Sequence, residues 1–287
     1  MSDLFQNHAA KSGPVECLGQ TFPSDEARRE HYLKLLAEKL KDPAFRKIEG
    51  FPIGTDENIL ALSDPPYYTA CPNPFMDQFV EEHLTHYDSL TQYKKEPFLT
   101  DVSEGKNDPI YNAHSYHTKV PHKAIMRFIL HYTQPGEIVL DSFCGTGMTG
   151  VAAQLCGDRK VVESLGYRVE SDGTVLQNLG NDGKNEWVPF SKLGARAALL
   201  NELSPAASFI ASNYNAELDV NKFHVEAKRI LQDVTEQCGW MYMTTHSDGR
   251  TLGRINFTLW SDVFSCPDCA GEIVFWDVAA DKTAGKV

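Results

Sequence analysis

The stretch "EIVLDSFCGTGMTG", residues 137–150, constrains this chain more than any other. An apolar run ends on Asp141 and passes into a sharp turn carrying Gly145 and Gly147. Residues 148–156 then read as a helix closed by Gly157. A strand that meets a helix through a glycine turn is the repeating unit of α/β proteins. Glycine there permits positive φ and lets a ligand approach the backbone closely. The N–H groups at the helix start could meet a carboxylate or phosphate. No Gly-Lys-Ser/Thr follows, so this is not a phosphate-binding P-loop. Many α/β proteins place glycine at such turns for packing alone, but among small ligands a nucleotide-like one is expected.

The surroundings extend the pattern. "VPHKAIMRFILHYT" reads as an amphipathic helix striped by Ile125, Phe128, Ile129 and Tyr132, and Pro135-Gly136 turns it into the strand. "AALLNEL" (197–203) reads as a second buried strand, and Ser204-Pro205 opens a helix behind it. "ENILALS" (57–63) reads as a third, feeding the rigid loop "DPPYYTACPNPF". Residues 1–23 read as poorly structured, after which Ser24 caps a helix carrying Leu33, Leu36 and Leu40 and stopped by Asp42-Pro43. "GYRVESDGTVLQN" reads as a hairpin around Asp172-Gly173. A helix over about 219–237, striped by Phe223, Ala227, Ile230, Leu231 and Val234, precedes strand-like segments on both sides of Cys266-Pro-Asp-Cys269.

Composition narrows the class. The net charge of −12 argues against tight, independent binding to nucleic acid, because phosphate contacts rely on Lys and Arg. No apolar run is long enough to span a bilayer, and the amino-terminal residues lack a secretory pattern, so a cytoplasmic location is expected. Among seven cysteines only Cys266 and Cys269 have metal-ligand spacing, and no disulfide framework emerges.

With the glycine turn, the segment before it and the Asp-Pro-Pro-Tyr loop in view, the chain resembles the S-adenosylmethionine-dependent DNA amino-methyltransferases, in the class whose catalytic motif precedes the cofactor motif. "DSFCGTG" is similar to the family's Asp-Pro-Phe-Cys/Gly-Gly-Ser/Thr-Gly turn. His117, Thr118, Lys119 and Pro121 follow its His-Pro-Thr-Gln-Lys-Pro segment, with Val120 inserted. The resemblance implies a Rossmann-like methyltransferase fold and a cofactor site built from His117, Thr118, Lys119, Asp141, Phe143, Cys144, Gly145, Thr146, Gly147 and Glu202. Glu202 ends its strand, where an acid can accept hydrogen bonds from ribose hydroxyls, usually ~20 residues after the glycine turn. Here 61 positions separate Asp141 from Glu202, an excess assigned to an insert over 158–195 that loops out of the sheet. His114, His117 and His122 read as loop and helix-cap histidines, since no acid or cysteine is spaced with them.

The loop supplies the chemistry. An exocyclic amine is a poor nucleophile because its lone pair is delocalised into the ring. The Asp64 carboxylate accepting one N–H and the Pro65 carbonyl accepting the other would localise that pair. Pro65 and Pro66 fix a rigid, donor-free turn, and Tyr67 offers a ring on which a flipped-out base can stack. In the family, Asp-Pro-Pro-Tyr goes mostly with adenine N6 and Ser-Pro-Pro-Tyr with cytosine N4, so flipped-out adenine in DNA is the expected substrate. Cytosine C5 chemistry is not expected, because the chain has no Pro-Cys pair to supply that family's nucleophile. A glutamine side chain is a further amine target, but its methylases resemble an Asn-Pro-Pro-Tyr variant. A bacterial restriction-modification or phage-defence setting is implied by the resemblance alone.

Two departures shape the expected organisation. Only three strands of a seven-stranded methyltransferase sheet can be placed, and the 45 positions of 69–113 leave no room for the rest together with a target-recognition domain. Cys266 and Cys269 resemble one knuckle of a zinc ribbon, half of a structural zinc site whose other ligands would lie outside this chain. The expected layout is a helical extension over 1–50, a catalytic and cofactor-binding region over 51–217, and a helix with a partial zinc-ribbon-like β segment over 218–287. The chain is expected to be the amino-terminal part of a larger methylase, its target recognition carried by a missing carboxyl-terminal portion or a partner subunit. The competing expectation is a non-catalytic cofactor-binding and zinc-ribbon fragment that works only with a partner chain.

Overall fold

The structure, a computed structural model, describes residues 13–84, 93–180, 185–216 and 218–279. The first twelve residues of the segment expected to lack structure lie outside it. The chain divides into two units, Met1–Leu218 and Asp219–Val287.

In the first unit the chain opens on a hairpin, β1 (Val15–Cys17) and β2 (Gln20–Phe22), where disorder is expected from the sequence. Leu18 and Gly19, both at positive φ, make its two-residue turn. Cys17 and Phe22 are buried, so the alternation of small polar and apolar residues outweighs the flanking Gly13, Pro14 and Pro23. Ser24 caps α1 (Asp25–Lys39), its hydroxyl accepting from the Ala27 N–H at 3.2 Å. The buried face of α1 is Arg28, Tyr32 and Leu36, successive turns of one stripe. Tyr32 and Leu36 join Leu40, Phe45, Ile59 and Phe75 in a core around the hairpin.

Residues 56–62 are helical, not the buried strand expected there. In α2 (Asp56–Leu62) the Thr55 hydroxyl accepts from the Asn58 N–H, and Asp56 and Glu57 stand in the first turn, where the dipole favours acids. Only Ile59 is buried, so a run that reads as a two-faced strand needs just one apolar contact. Short apolar runs do not distinguish strand from helix by periodicity. Two further helices follow, α3 (Met76–His83) and the short α4 (Pro109–Asn112).

The second core is built on α5 (His122–Tyr132), β3 (Ile138–Asp141) and α6 (Met148–Leu155). Of the expected α5 stripe, Ile129 is buried and Ile125 packs on the core, while Phe128 and Tyr132 meet Phe98 on another side. Ala124, Met126 and Leu130 complete the buried surface, so this helix is covered on more than one face. After α7 (Arg159–Ser164) come β4 (Arg168–Val169), β5 (Thr174–Asn178) and β6 (Trp187–Lys192), an antiparallel sheet of their own. The chain then returns as β7 (Ala197–Leu200), which pairs directly and in parallel with β3 from Ile138↔Ala197 to Asp141↔Leu200. Ser204 caps α8 (Pro205–Asn215). Among the described residues parallel pairing is confined to β3 and β7, so the unit is mixed α/β with small sheets.

The second unit comprises α9 (Val220–Cys238), the hairpins β8 (Met243–Thr245) with β9 (Leu252–Arg254) and β10 (Val263–Ser265) with β11 (Glu272–Val274), and α10 (Phe275–Ala279). No helix among the described residues is long and apolar enough to cross a membrane.

Candidate active site

The parallel pair brings two turns together at its carboxyl end. The Asn201 N–H donates to the Asp141 carbonyl at 2.9 Å and the Cys144 N–H to the Asn201 carbonyl at 3.0 Å, carrying the ladder past the strands. Gly145 (φ 54°) and Gly147 (φ 82°) both lie in the left-handed region. A Cβ on Gly147 would also stand 2.7 Å from that of Ala211, so α8 crosses too closely for any side chain. The turn is not expected from the sequence to have G-x-G-x-x-G spacing, and that expectation is corrected: Gly145, Gly147 and Gly150 carry it, and the missing Gly150 side chain makes room for Asn215 and Leu200.

Glu202, 57 residues from Gly145, sits on this turn. Its Oε2 accepts from the Gly145 N–H at 2.8 Å and its Oε1 from the Ser204 N–H at 2.9 Å. Asp141 accepts from the Phe143 N–H at 3.1 Å and from the Thr149 hydroxyl at 2.5 Å. Burial first, then the Asp141 and Glu202 carboxylates, push the Cys144 thiol up to about 11. Phe143 projects almost fully into solvent, whereas Thr146 is buried and its hydroxyl has no partner among the described residues.

The 114–119 segment covers part of this turn. A Cβ on Gly145 would meet the Tyr116 ring at 3.3 Å, a contact with no counterpart in the sequence reading. His117 and Thr118 are exposed in a turn. Lys119 is drawn inward, bonded to the His114 carbonyl and held over the Tyr111 ring at 4.5 Å, and burial lowers its pKa. His114 Nδ1 lies 3.0 Å from the Tyr214 hydroxyl on α8, and His122 is buried beside Asp108.

The Asp64–Tyr68 loop is closed on itself by two backbone bonds, Asp64 N–H to the Tyr68 carbonyl at 2.9 Å and Tyr68 N–H to the Asp64 carbonyl at 3.0 Å. Pro65, Pro66 and Tyr67 form its tip, with a cis Pro65–Pro66 peptide. Asn73 donates to the Pro66 carbonyl at 2.8 Å, and the Ser63 hydroxyl links α2 to the Ala70 N–H. The main anchor comes from α1. Arg28 Nη1 donates to the Pro65 carbonyl at 2.6 Å and Nη2 to Asp64 Oδ1 at 3.1 Å. Its Nε is held by Asp25 at 2.8 Å, and its guanidinium lies 4.9 Å from the Tyr67 ring centre. Arg29 donates to the Ser63 carbonyl at 3.1 Å. These arginines are absent from the sequence reading, although an arginine at i with Tyr32 at i+4 and Leu36 at i+8 puts a cation on a buried stripe. Tyr67 keeps one ring face in solvent while burial and neighbouring Cys17 raise the pKa of its hydroxyl.

No hydrogen bond or ion pair among the described residues joins this loop to the glycine turn. Leu203, next to Glu202, reaches within 3.8 Å of the position of a Cβ on Gly50.

In the second unit, Cys266 and Cys269 flank the turn between β10 and β11. The Cys269 and Asp268 N–H groups pull the Cys266 thiol below its ordinary range. Among the described residues, however, no group of three or more His, Cys, Asp and Glu could hold a metal ion. The two thiols on this turn are half of the four ligands a structural zinc takes, so the described residues form no complete metal site.

No curated protein and no solved structure matches the chain. A family model for N6 and N4 methylases, described as DNA methylase, matches residues 15–173, more than half of the sequence. That span begins at the hairpin and takes in α1, the Asp64–Tyr68 loop and the glycine turn, and the chain belongs to this DNA methylase family.

Proposed function

We propose that this chain methylates the exocyclic N6 amine of a flipped-out adenine in DNA, with S-adenosyl-L-methionine as donor. We also read β3 and β7 as part of a Rossmann-like methyltransferase sheet. One observation carries the reading: two nitrogens of the same planar guanidinium reach the Pro65 carbonyl and the Asp64 carboxylate. The two oxygens are therefore held close together by one rigid group, and each keeps acceptor capacity on the side away from Arg28. An amine presented to the free side of both gives one N–H to each, which localises its lone pair for attack on the sulfonium methyl, with S-adenosylhomocysteine leaving. The proton it sheds can pass to Asp64, whose side chain is 42% exposed and so in reach of water. The exposed face of Tyr67 would stack on the base, and aromatic stacking is worth ~1–3 kcal/mol per base.

The cofactor, when bound, supplies a sulfonium methyl. The residues present fit it on the chemistry of the donor set. Asp141 and Glu202 give the turn a negative potential, which suits a cationic ligand carrying ribose hydroxyls and disfavours a bare phosphate. Each Glu202 oxygen already accepts one N–H and retains a second lone pair for a hydroxyl. The buried, unpartnered Thr146 hydroxyl and the positive-φ glycines leave polar and open backbone on the same turn.

Transfer of labelled methyl to unmethylated DNA, with the modified nucleoside identified after digestion, tests the reading. We expect N6-methyladenine from the wild-type chain and a loss of at least about 100-fold for Asp64→Ala, the scale of removing a preorganised polar group. Equal background from both would sink the enzyme reading. Calorimetric binding of S-adenosylhomocysteine, unchanged in Asp64→Ala, would then show whether the glycine turn is the cofactor site.

A further inference from the structure

We infer that Arg28 is a positioning residue for methyl transfer: from α1 it sets the distance and orientation of both amine acceptors and backs the stacking ring. The inference rests on the proposed methyl-transfer reading and adds to it a residue outside the catalytic loop.

Arg28 is 2% exposed, an arginine buried on a helix stripe otherwise made of Tyr32 and Leu36. Burial of a cation is unfavourable unless it is paired and hydrogen-bonded. Here Asp25 and Asp64 hold the charge, and three of its nitrogens have partners at 2.6 to 3.1 Å. The partners are unusual in kind. Two of them are the groups that would receive the amine, and the third surface it meets is the ring that would hold the base. A residue serving only to tie α1 to the loop could have used any carbonyl of residues 63–70, as Arg29 does with Ser63.

The geometry also argues against Arg28 acting as a plug. It takes Asp64 through Oδ1, which Arg29 also approaches at 3.6 Å, while Oδ2 has no partner among the described residues. The Pro65 carbonyl has a second lone pair, and the guanidinium lies on one face of the Tyr67 ring. Each element is thus held from the protein side with capacity left for substrate. A planar fork with fixed donor directions can do this, whereas a lysine ammonium is a point charge without fixed spacing.

The test compares the full chain with Arg28→Lys, Arg28→Met and Arg28→Ala. Misplacing reacting groups by about an ångström typically lowers turnover ~100-fold. We expect kcat for DNA methylation to fall by that order in Arg28→Met and only partly to recover in Arg28→Lys. KM for S-adenosyl-L-methionine should stay within about threefold, because the glycine turn is untouched. Low-millimolar guanidinium should restore part of the activity of Arg28→Ala, and sodium chloride at equal ionic strength should not. Hydrogen exchange reads the same contact without turnover: exchange should rise in peptides of 61–75 in Arg28→Met and stay unchanged over 122–156. Wild-type kcat in Arg28→Met would overturn the inference, as would failure of guanidinium to rescue Arg28→Ala, unaltered exchange over 61–75 or a uniform rise across the chain. A wild-type chain that transfers no methyl, with the local exchange change present, would count against the methyl-transfer reading and leave the positioning contact standing.

Discussion

At the scale of single residues, the site depends on polar groups held from behind. Asp64 and the Pro65 carbonyl are oriented by Arg28, and Glu202 spans two backbone N–H groups. Tyr67 differs from its neighbours Pro65 and Pro66, which are buried, by leaving most of its side chain in solvent. An exposed ring with a cation behind it is a stacking surface, since the cation holds one face and water covers the other. We expect Tyr67→Ala to weaken binding of a duplex with 2-aminopurine at the target by about 10- to 100-fold, in line with ~1–3 kcal/mol per stacked base. Tyr67→Phe should bind within about threefold of wild type, because the ring is kept. Fluorescence titration checks both, and equal affinity for all three proteins would remove Tyr67 from the site.

At the scale of elements, the difference between expectation and structure at residues 56–62 is instructive. The run Ile59-Leu60-Ala61-Leu62 is as compatible with a helix as with a strand, and the choice falls to its ends. Thr55 caps it at one end, and at the other the Ser63 hydroxyl bonds back to the Ile59 carbonyl at 2.6 Å. Removal of a threonine cap typically lowers stability by ~0.5–2 kcal/mol. Thr55→Ala should therefore lower the unfolding midpoint measurably in denaturant, with Thr55→Ser close to wild type. A strand at this place would respond in neither case. The glycine turn shows the opposite behaviour. Gly147 sits at positive φ where Ala211 leaves no room for a side chain, so the need for glycine is legible from sequence and structure alike.

At the scale of the whole molecule, acidity enters twice. The net charge of −12 leaves any contact with DNA to local arginines and lysines, not to a general basic surface. A buried histidine, His122, and a half-buried one, His114, link the fold to pH. Burial lowers the His122 pKa, and burial with the nearby Lys119 lowers that of His114. A base whose folded pKa is depressed takes up protons in the unfolded chain first, so stability falls as pH drops through the unfolded value near 6.5. Asp108, whose carboxyl is held low in the folded chain, contributes stability lost only in a much more acidic range. Thermal unfolding should therefore occur at lower temperature at about pH 5.5 than at about pH 7.5, with a shallower slope in His122→Gln. A midpoint independent of pH over that interval would contradict the buried, neutral histidine.

The amino-acid sequence by itself determined what is local. The capped starts at Ser24 and Ser204, the strand-turn-helix at 138–155, the hairpin at Asp172-Gly173 and the tetrapeptide Asp64–Tyr67 all follow from backbone preferences within a few residues. It also carried the family, because those motifs survive in order. Tertiary structure decided what depends on distant partners. Glu202 belongs with Gly145 only because β7 returns beside β3 after a sheet of its own has intervened. Arg28 belongs with Asp64 only because a hairpin and α1 pack their core against α2. In each case a charged side chain finds its role through partners 36 or more residues away, and no local periodicity encodes that distance.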